Sequence, residues 1–200
     1  KAPQEHSTLF TNNPSLKEEA SLKGWRYEYV DSPLTNNYSQ SSLQTKYIKF
    51  LQFNLKHKSY LYHDHKIKVT PALIRKVEKM ATKDILVSFT PDPHRTILME
   101  MKAGKGHRRY ARSLPQTKKF LKRHSKKGFS LKAPAMRTGF IFYRNITPRV
   151  IELTKKVFKA CMDTDNPHCQ IFWGLYAPQY ADIIQCVPLP KINYERDRKL

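Results

Sequence analysis

Two hydrophobic periods alternate along this chain. Residues 7–11, Ser7-Thr8-Leu9-Phe10-Thr11, form a β-prone run closed by the turn formers Asn12, Asn13 and Pro14. Ser15 stands at a helix N-cap with Glu18 three residues on, which predicts a capping box and a helix over 16–23 that Gly24 stops. Residues 25–30 alternate again and predict a second strand, so the chain opens with a strand–helix–strand unit. Residues 34–42 are polar and predict a loop. From residue 42 the period changes: Leu43, Tyr47, Phe50, Leu51 and Asn54 recur at helical spacing, with Lys46, Lys49 and Lys56 on the wetter side.

The stretch Tyr60-Leu61-Tyr62-His63-Asp64-His65-Lys66-Ile67-Lys68-Val69 follows. It starts as an aromatic, apolar run, places one carboxylate between two imidazoles, then alternates with Ile67 and Val69 on one side. The pattern predicts a strand. A strand of an open α/β sheet that ends in an acidic residue is a usual place for a ligand, at the strand's carboxyl end. Asp64 and its neighbours are thus a candidate site for a metal ion or phosphate; the alternative is a turn where the strand meets water.

Thr70-Pro71 predicts an N-cap and first helical position, with Leu73, Ile74, Val77 and Met80 facing inward. Residues 84–89 predict a strand, broken by Pro91 and Pro93. Residues 97–103 are too short a run for periodicity to decide between helix and strand, although Thr96 and Met99-Glu100-Met101 favour a helix. An amphipathic helix over 116–125, a strand over 137–143, a helix capped by Thr147-Pro148, an aromatic segment of either type over 170–176 and a last strand over 183–187 complete the series. Residues 190–200 predict a polar, basic tail. The alternation implies one α/β domain over 1–200 with a largely parallel sheet.

Charge changes this picture most. Lys and Arg outnumber Asp and Glu by 37 to 16, a net +21. Such a field attracts polyanions, whether nucleic acid, anionic lipid, acidic glycan or a nucleotide diphosphate. An apolar share of 40% supports a packed core. No run reaches the roughly 20 apolar residues that a membrane span needs. Cys161, Cys169 and Cys186 have neither a disulfide-framework nor a zinc spacing and are expected as free thiols, a Cys161–Cys169 bridge being the alternative. Asn37-Tyr38-Ser39 and Asn145-Ile146-Thr147 fit the glycosylation sequon.

Two function classes can be read from these residues directly. Pro91-Asp92 with Glu100-Met101-Lys102 resembles the Pro-Asp…Glu-x-Lys core of restriction-type endonucleases, in which carboxylates hold Mg²⁺ and lysine activates water. That core needs Asp92, Glu100 and Lys102 clustered on strands. Alternatively, basic stretches interleaved with Tyr110, Phe120 and Phe129 describe a nucleic-acid-binding module without chemistry, which needs those aromatics exposed.

A third class comes from resemblance. In order along the chain stand Phe10-Thr11-Asn12-Asn13, Gly24-Trp25, the lysine-containing helix after Ser42, the Tyr60 to Val69 stretch, Pro93-His94-Arg95, Glu100, Arg109-Tyr110, Gly128-Phe129, residues 139–145 and Cys169-Gln170-Ile171-Phe172-Trp173. Together, over about residues 8–190, they resemble the glycosyltransferase family of the GT-A, nucleotide-diphospho-sugar transferase type that includes the plant mucilage-type hexosyltransferases and bacterial relatives. The resemblance implies a three-layer sandwich with a mostly parallel central sheet, its first strand lying before Lys1. It implies transfer of a sugar, a hexose by analogy, from a nucleotide donor to a glycan or protein acceptor, an acidic one given the basic surface. It also implies the Golgi lumen for a eukaryotic source, with any membrane anchor outside these residues. Asp64, Glu100 and Gln170 take the catalytic positions. Lys46, His63, His65, Lys66, Arg95, Arg109 and Arg144 take the donor-binding ones. GT-A enzymes commonly hold Mn²⁺ or Mg²⁺ with an Asp-x-Asp pair. Here Asp64 is the only carboxylate of Asp64-His65-Lys66, so Lys66 or an imidazole of His63 or His65 is the alternative partner for the diphosphate.

Overall fold

The computed structural model describes residues 7–30, 38–51, 57–64, 67, 69–88 and 95–187. Its opening unit follows the sequence pattern. Strand β1 (Thr8–Thr11) and strand β2 (Arg26–Tyr29) pair in parallel across helix α1 (Leu16–Leu22). The helix ends ahead of Gly24, whose φ of 78° is open to glycine at little cost. The capping box does not form: Ser15 is already helical, and its N–H and hydroxyl both donate to the Asn13 side chain, at 3.1 and 2.7 Å. An Asx turn thus takes the hydroxyl that the cap would have used.

Helix α2 (Tyr38–Leu51) begins four residues before the expected start at 42, with neither Gly nor Pro there to break it. Strands β3 (Tyr60–His63), β4 (Ile85–Ser88), β5 (Arg137–Tyr143) and β6 (Ile184–Val187) form one sheet in the order β3-β5-β4-β6. Strand β5 runs antiparallel to both neighbours, while β4 and β6 are parallel, so three strands share a direction and β5 opposes them. The sheet is therefore mixed where a largely parallel one was expected. Hydrophobic runs on strands buried from both sides read the same in either direction, so the pattern could not report it.

Both faces of this sheet are covered. Ile85, Val87, Ile141 and Tyr143 point into a large core that takes in Leu43 and Phe50 of α2 and residues of four later helices. These are α4 (Ile97–Gly104), α6 (Leu114–Ser125), α7 (Pro148–Asp163) and α8 (Cys169–Tyr176). Leu86, Phe140, Phe142 and Val187 point the other way, onto Ile67 and onto Val77 of α3 (Pro71–Met80). Neither core includes a residue of 7–30. Thr70, Thr96 and Thr147 cap their helices as the sequence predicts, accepting from the N–H groups of Leu73, Met99 and Val150. Thr96 settles the ambiguous run: residues 97–104 are helix, so Glu100 and Lys102 lie on α4 rather than on a strand. Asp92 lies outside the described residues.

Candidate functional site

Asp64 follows the last residue of β3 and is exposed at the strand's carboxyl end. Pairing with β5 fixes it there. The Asp64 N–H donates to the Gly139 carbonyl at 2.7 Å, and its Oδ1 accepts the Tyr62 hydroxyl at 2.8 Å. A Cβ at Gly139 would stand 2.7 Å from Asp64 Oδ2, so a larger residue there would displace the carboxylate from this position. Burial and the Asp64 charge both push the Tyr62 phenol far above its ordinary range, so it stays a donor. His63 turns Nδ1 to the Asp64 carbonyl at 3.2 Å, and burial lowers its affinity for a proton.

Behind Asp64 lies a feature that helical spacing placed elsewhere. Lys49, expected on the wet side of α2, is only 3% exposed. Its Nζ sits 4.4 Å from the Tyr62 ring centre and 5.6 Å from that of Phe50. Burial, reinforced by the nearby Lys46 ammonium, pulls the Lys49 pKa down. Lys46, one turn earlier and half-buried, goes the other way. Burial would lower its pKa, but the charges of Cys169 and Asp64 outweigh that and raise it. The backbone of α2 puts positions 46 and 49 side by side. The wet-side assignment failed because it counted residue types and not what β3 brings against them.

Cys169 opens α8 fully buried, its Sγ 3.2 Å from Thr138 Oγ1 on β5, next to Gly139. Burial raises a thiol's pKa, but here the ammonium groups of Lys49 and Lys46, with the Thr138 hydroxyl, hold it below the ordinary value. Cys161 goes upward through burial and the Cys169 charge. Cys161, Cys169 and Cys186 are free thiols, as expected, and Cys161 and Cys169 do not bridge. Gln170 is half-buried in the first turn of α8.

A second polar group adjoins the first through His168. Its Nε2 lies 3.0 Å from Glu100 Oε2, and Glu100 Oε1 pairs with the Arg95 Nε–H. Both carboxylate oxygens are thereby engaged, and Arg95 is tied to Glu100 through its Nε–H. Although burial opposes it, the bonds from His168 and Arg95 take the Glu100 pKa down to about 2. Tyr110, on α5 (Arg108–Ala111), stacks on the His168 ring with centres 4.3 Å apart.

The structure thus brings Asp64, His63, Lys46 and Cys169-Gln170 to one end of the sheet, with Lys49 and Tyr62 added. Arg144 is not there: it is exposed just beyond the other end of β5, its N–H donating to the Asp84 carbonyl. His65, Lys66 and the side chain of Arg109 lie outside the described residues. Tyr110, Phe120 and Phe129, the candidate base-stacking aromatics, pack inward on His168, Phe172 and Tyr176. Among the described residues no three His, Cys, Asp or Glu side chains gather to hold a metal. The ammonium groups of Lys46 and Lys49 lie close enough for the Asp64 charge to act on them, and among the described residues no such group forms around Asp64, whereas Mn²⁺ and Mg²⁺ favour oxygen-rich, negatively charged cages. No helix among the described residues is long and apolar enough to cross a membrane. Comparison with known proteins found no matching family model, no matching curated protein and no matching solved structure.

Proposed function

We propose that this chain is a glycosyltransferase that moves a sugar, a hexose by resemblance, from a nucleotide-diphosphate donor to a glycan or protein acceptor. The observation that carries the reading is the position of Asp64. It stands exposed at the carboxyl end of β3, its carboxylate aimed by Tyr62, with the half-buried Lys46 supplying positive charge. Ligands of open α/β sheets bind at such strand ends. A sheet with a core on each face agrees with the GT-A-like three-layer arrangement.

On this reading Asp64 accepts hydrogen bonds from donor hydroxyl groups, and Tyr62 fixes the direction of its free lone pairs. Transfer breaks the bond between the anomeric carbon and the diphosphate oxygen while an acceptor hydroxyl forms the new bond. The departing diphosphate gains charge, and a nearby ammonium group stabilises it most when water is excluded. Gln170, next to Cys169 in the chain, takes the contact with the acceptor or the sugar that the resemblance implies. Glu100 has a different role: with both oxygens engaged, it positions His168 and, through it, the start of α8. The nuclease reading needs Glu100 and Lys102 on strands, and both are helical.

Thermal denaturation with nucleotide diphosphates and nucleotide sugars, with and without Mn²⁺, tests the proposal. Wild type should be stabilised by a nucleotide sugar, and Asp64→Ala should lose that shift while keeping its own midpoint within about 2 °C, as suits an exposed side chain. Equal stabilisation of the two proteins would sink the assignment. A shift produced by DNA or RNA alone would replace it with nucleic-acid binding.

A further inference from the structure

Lys49 raises a question that the assignment of Asp64 leaves open. An ammonium group taken out of water is costly unless an anion compensates it. Lys49 is 3% exposed, yet none of the ion pairs among the described residues includes it. Its close contacts are the faces of Tyr62 and Phe50, which recover only part of the lost hydration. Lys46 adds a second positive charge on the same side of α2. The negative groups that act on the two are Asp64, which is exposed, and the Cys169 thiol, which no ion pair among the described residues joins to either lysine.

Lys49 lies against the ring of Tyr62, and the hydroxyl of that same ring donates to the exposed Asp64. Lys46, one turn away on α2, is half-exposed and so the more accessible of the two cations.

We propose that Lys46 and Lys49 form a phosphate-binding pocket that takes the diphosphate of a nucleoside diphosphate donor and so fills the place of a divalent cation. The nucleoside part of this ligand rests on the transferase reading; the phosphate pocket stands without it. Two fixed ammonium groups suit a diphosphate better than a single carboxylate or sulfate, because each can meet one phosphoryl group.

The test uses the whole chain in EDTA, with inorganic pyrophosphate and uridine diphosphate as probes and calorimetry as readout. Wild type should bind both without metal, Lys49→Met should weaken both at least tenfold, and Lys49→Arg should retain part of the affinity. Because Lys49→Met replaces a buried charge held in no ion pair among the described residues with an apolar side chain of similar length, the ligand-free variant should melt about 2–4 °C above wild type. Should that variant not fold, Lys46→Gln gives the same comparison at a half-exposed position. Binding that requires Mn²⁺, or that survives unchanged in Lys49→Met and Lys46→Gln, overturns the pocket. Pyrophosphate binding that depends on Lys49, with no transfer from any nucleotide sugar, keeps the pocket and removes the transferase. Transfer with KM unchanged in Lys49→Met does the reverse.

Discussion

Glu100 shows how much one side chain can organise. Its carboxylate joins Arg95 ahead of α4 to His168 ahead of α8, and it is 4% exposed. Its pKa falls from 4.5 to about 2 on folding, so folding favours the ionised form. A group whose folded pKa is depressed contributes stability above its unfolded pKa and loses it as pH falls through the folded value. The contribution, on the order of 3 kcal/mol, should therefore be intact at pH 6 and disappear between about pH 4.5 and 2. Denaturant midpoints across that range check this, with Glu100→Gln expected to start lower and to fall less steeply. A parallel fall in the two proteins would show that other carboxylates govern acid unfolding. The place of Asp64 at a strand end was legible because a lone carboxylate after an apolar run is conspicuous. The burial of Lys49 was not, because helical spacing reports which residues share a face and not whether a strand will cover it. His168 was hidden for a related reason: residues 162–168 look polar, yet Thr164, Asn166 and His168 are buried, and Asn166 and His168 Nε2 meet Thr117 and Glu100, far away in sequence.

At the scale of elements, threonine caps were the most reliable signal. Thr70, Thr96 and Thr147 each start a helix where the sequence places one. Among the described residues Thr70 does so with no second side-chain bond, whereas Thr147 Oγ1 also donates to Asp84 Oδ2 at 3.2 Å. Thr70→Ala should cost about 1 kcal/mol and Thr147→Ala clearly more, by urea denaturation. Equal losses would mean that the Asp84 contact adds nothing. Ser15 failed by the same chemistry that made the threonines succeed, since Asn13 offered its hydroxyl a nearer acceptor. Strand positions were legible to within one or two residues for β1, β2, β4, β5 and β6. Strand direction was not, because alternation and burial carry no sign.

Across the whole molecule, charge is distributed unevenly. No Asp or Glu occurs between Glu100 and Glu152. Within that stretch α6 buries Leu114, Thr117, Phe120 and Leu121 and exposes Lys118, Lys119, Lys122 and Arg123. With its apolar side already committed to the core, this helix offers a polyanion only its charges. Replacing those four cations by Gln should weaken retention on a sulfated or uronic glycan by about an order of magnitude near physiological salt, with a shallower salt dependence. Unchanged elution would dismiss α6 as the contact and leave its charge as a solubility device. The antiparallel course of β5 has a consequence of another kind, in time. Strands β3 and β4 are successive in the chain yet are not neighbours in the sheet; each waits for β5, and the Asp64 N–H waits for the Gly139 carbonyl. During synthesis, then, β3 and β4 leave the ribosome with no partner in their sheet. They stay unpaired until β5 arrives between them, an interval in which aggregation and chaperone capture compete with folding.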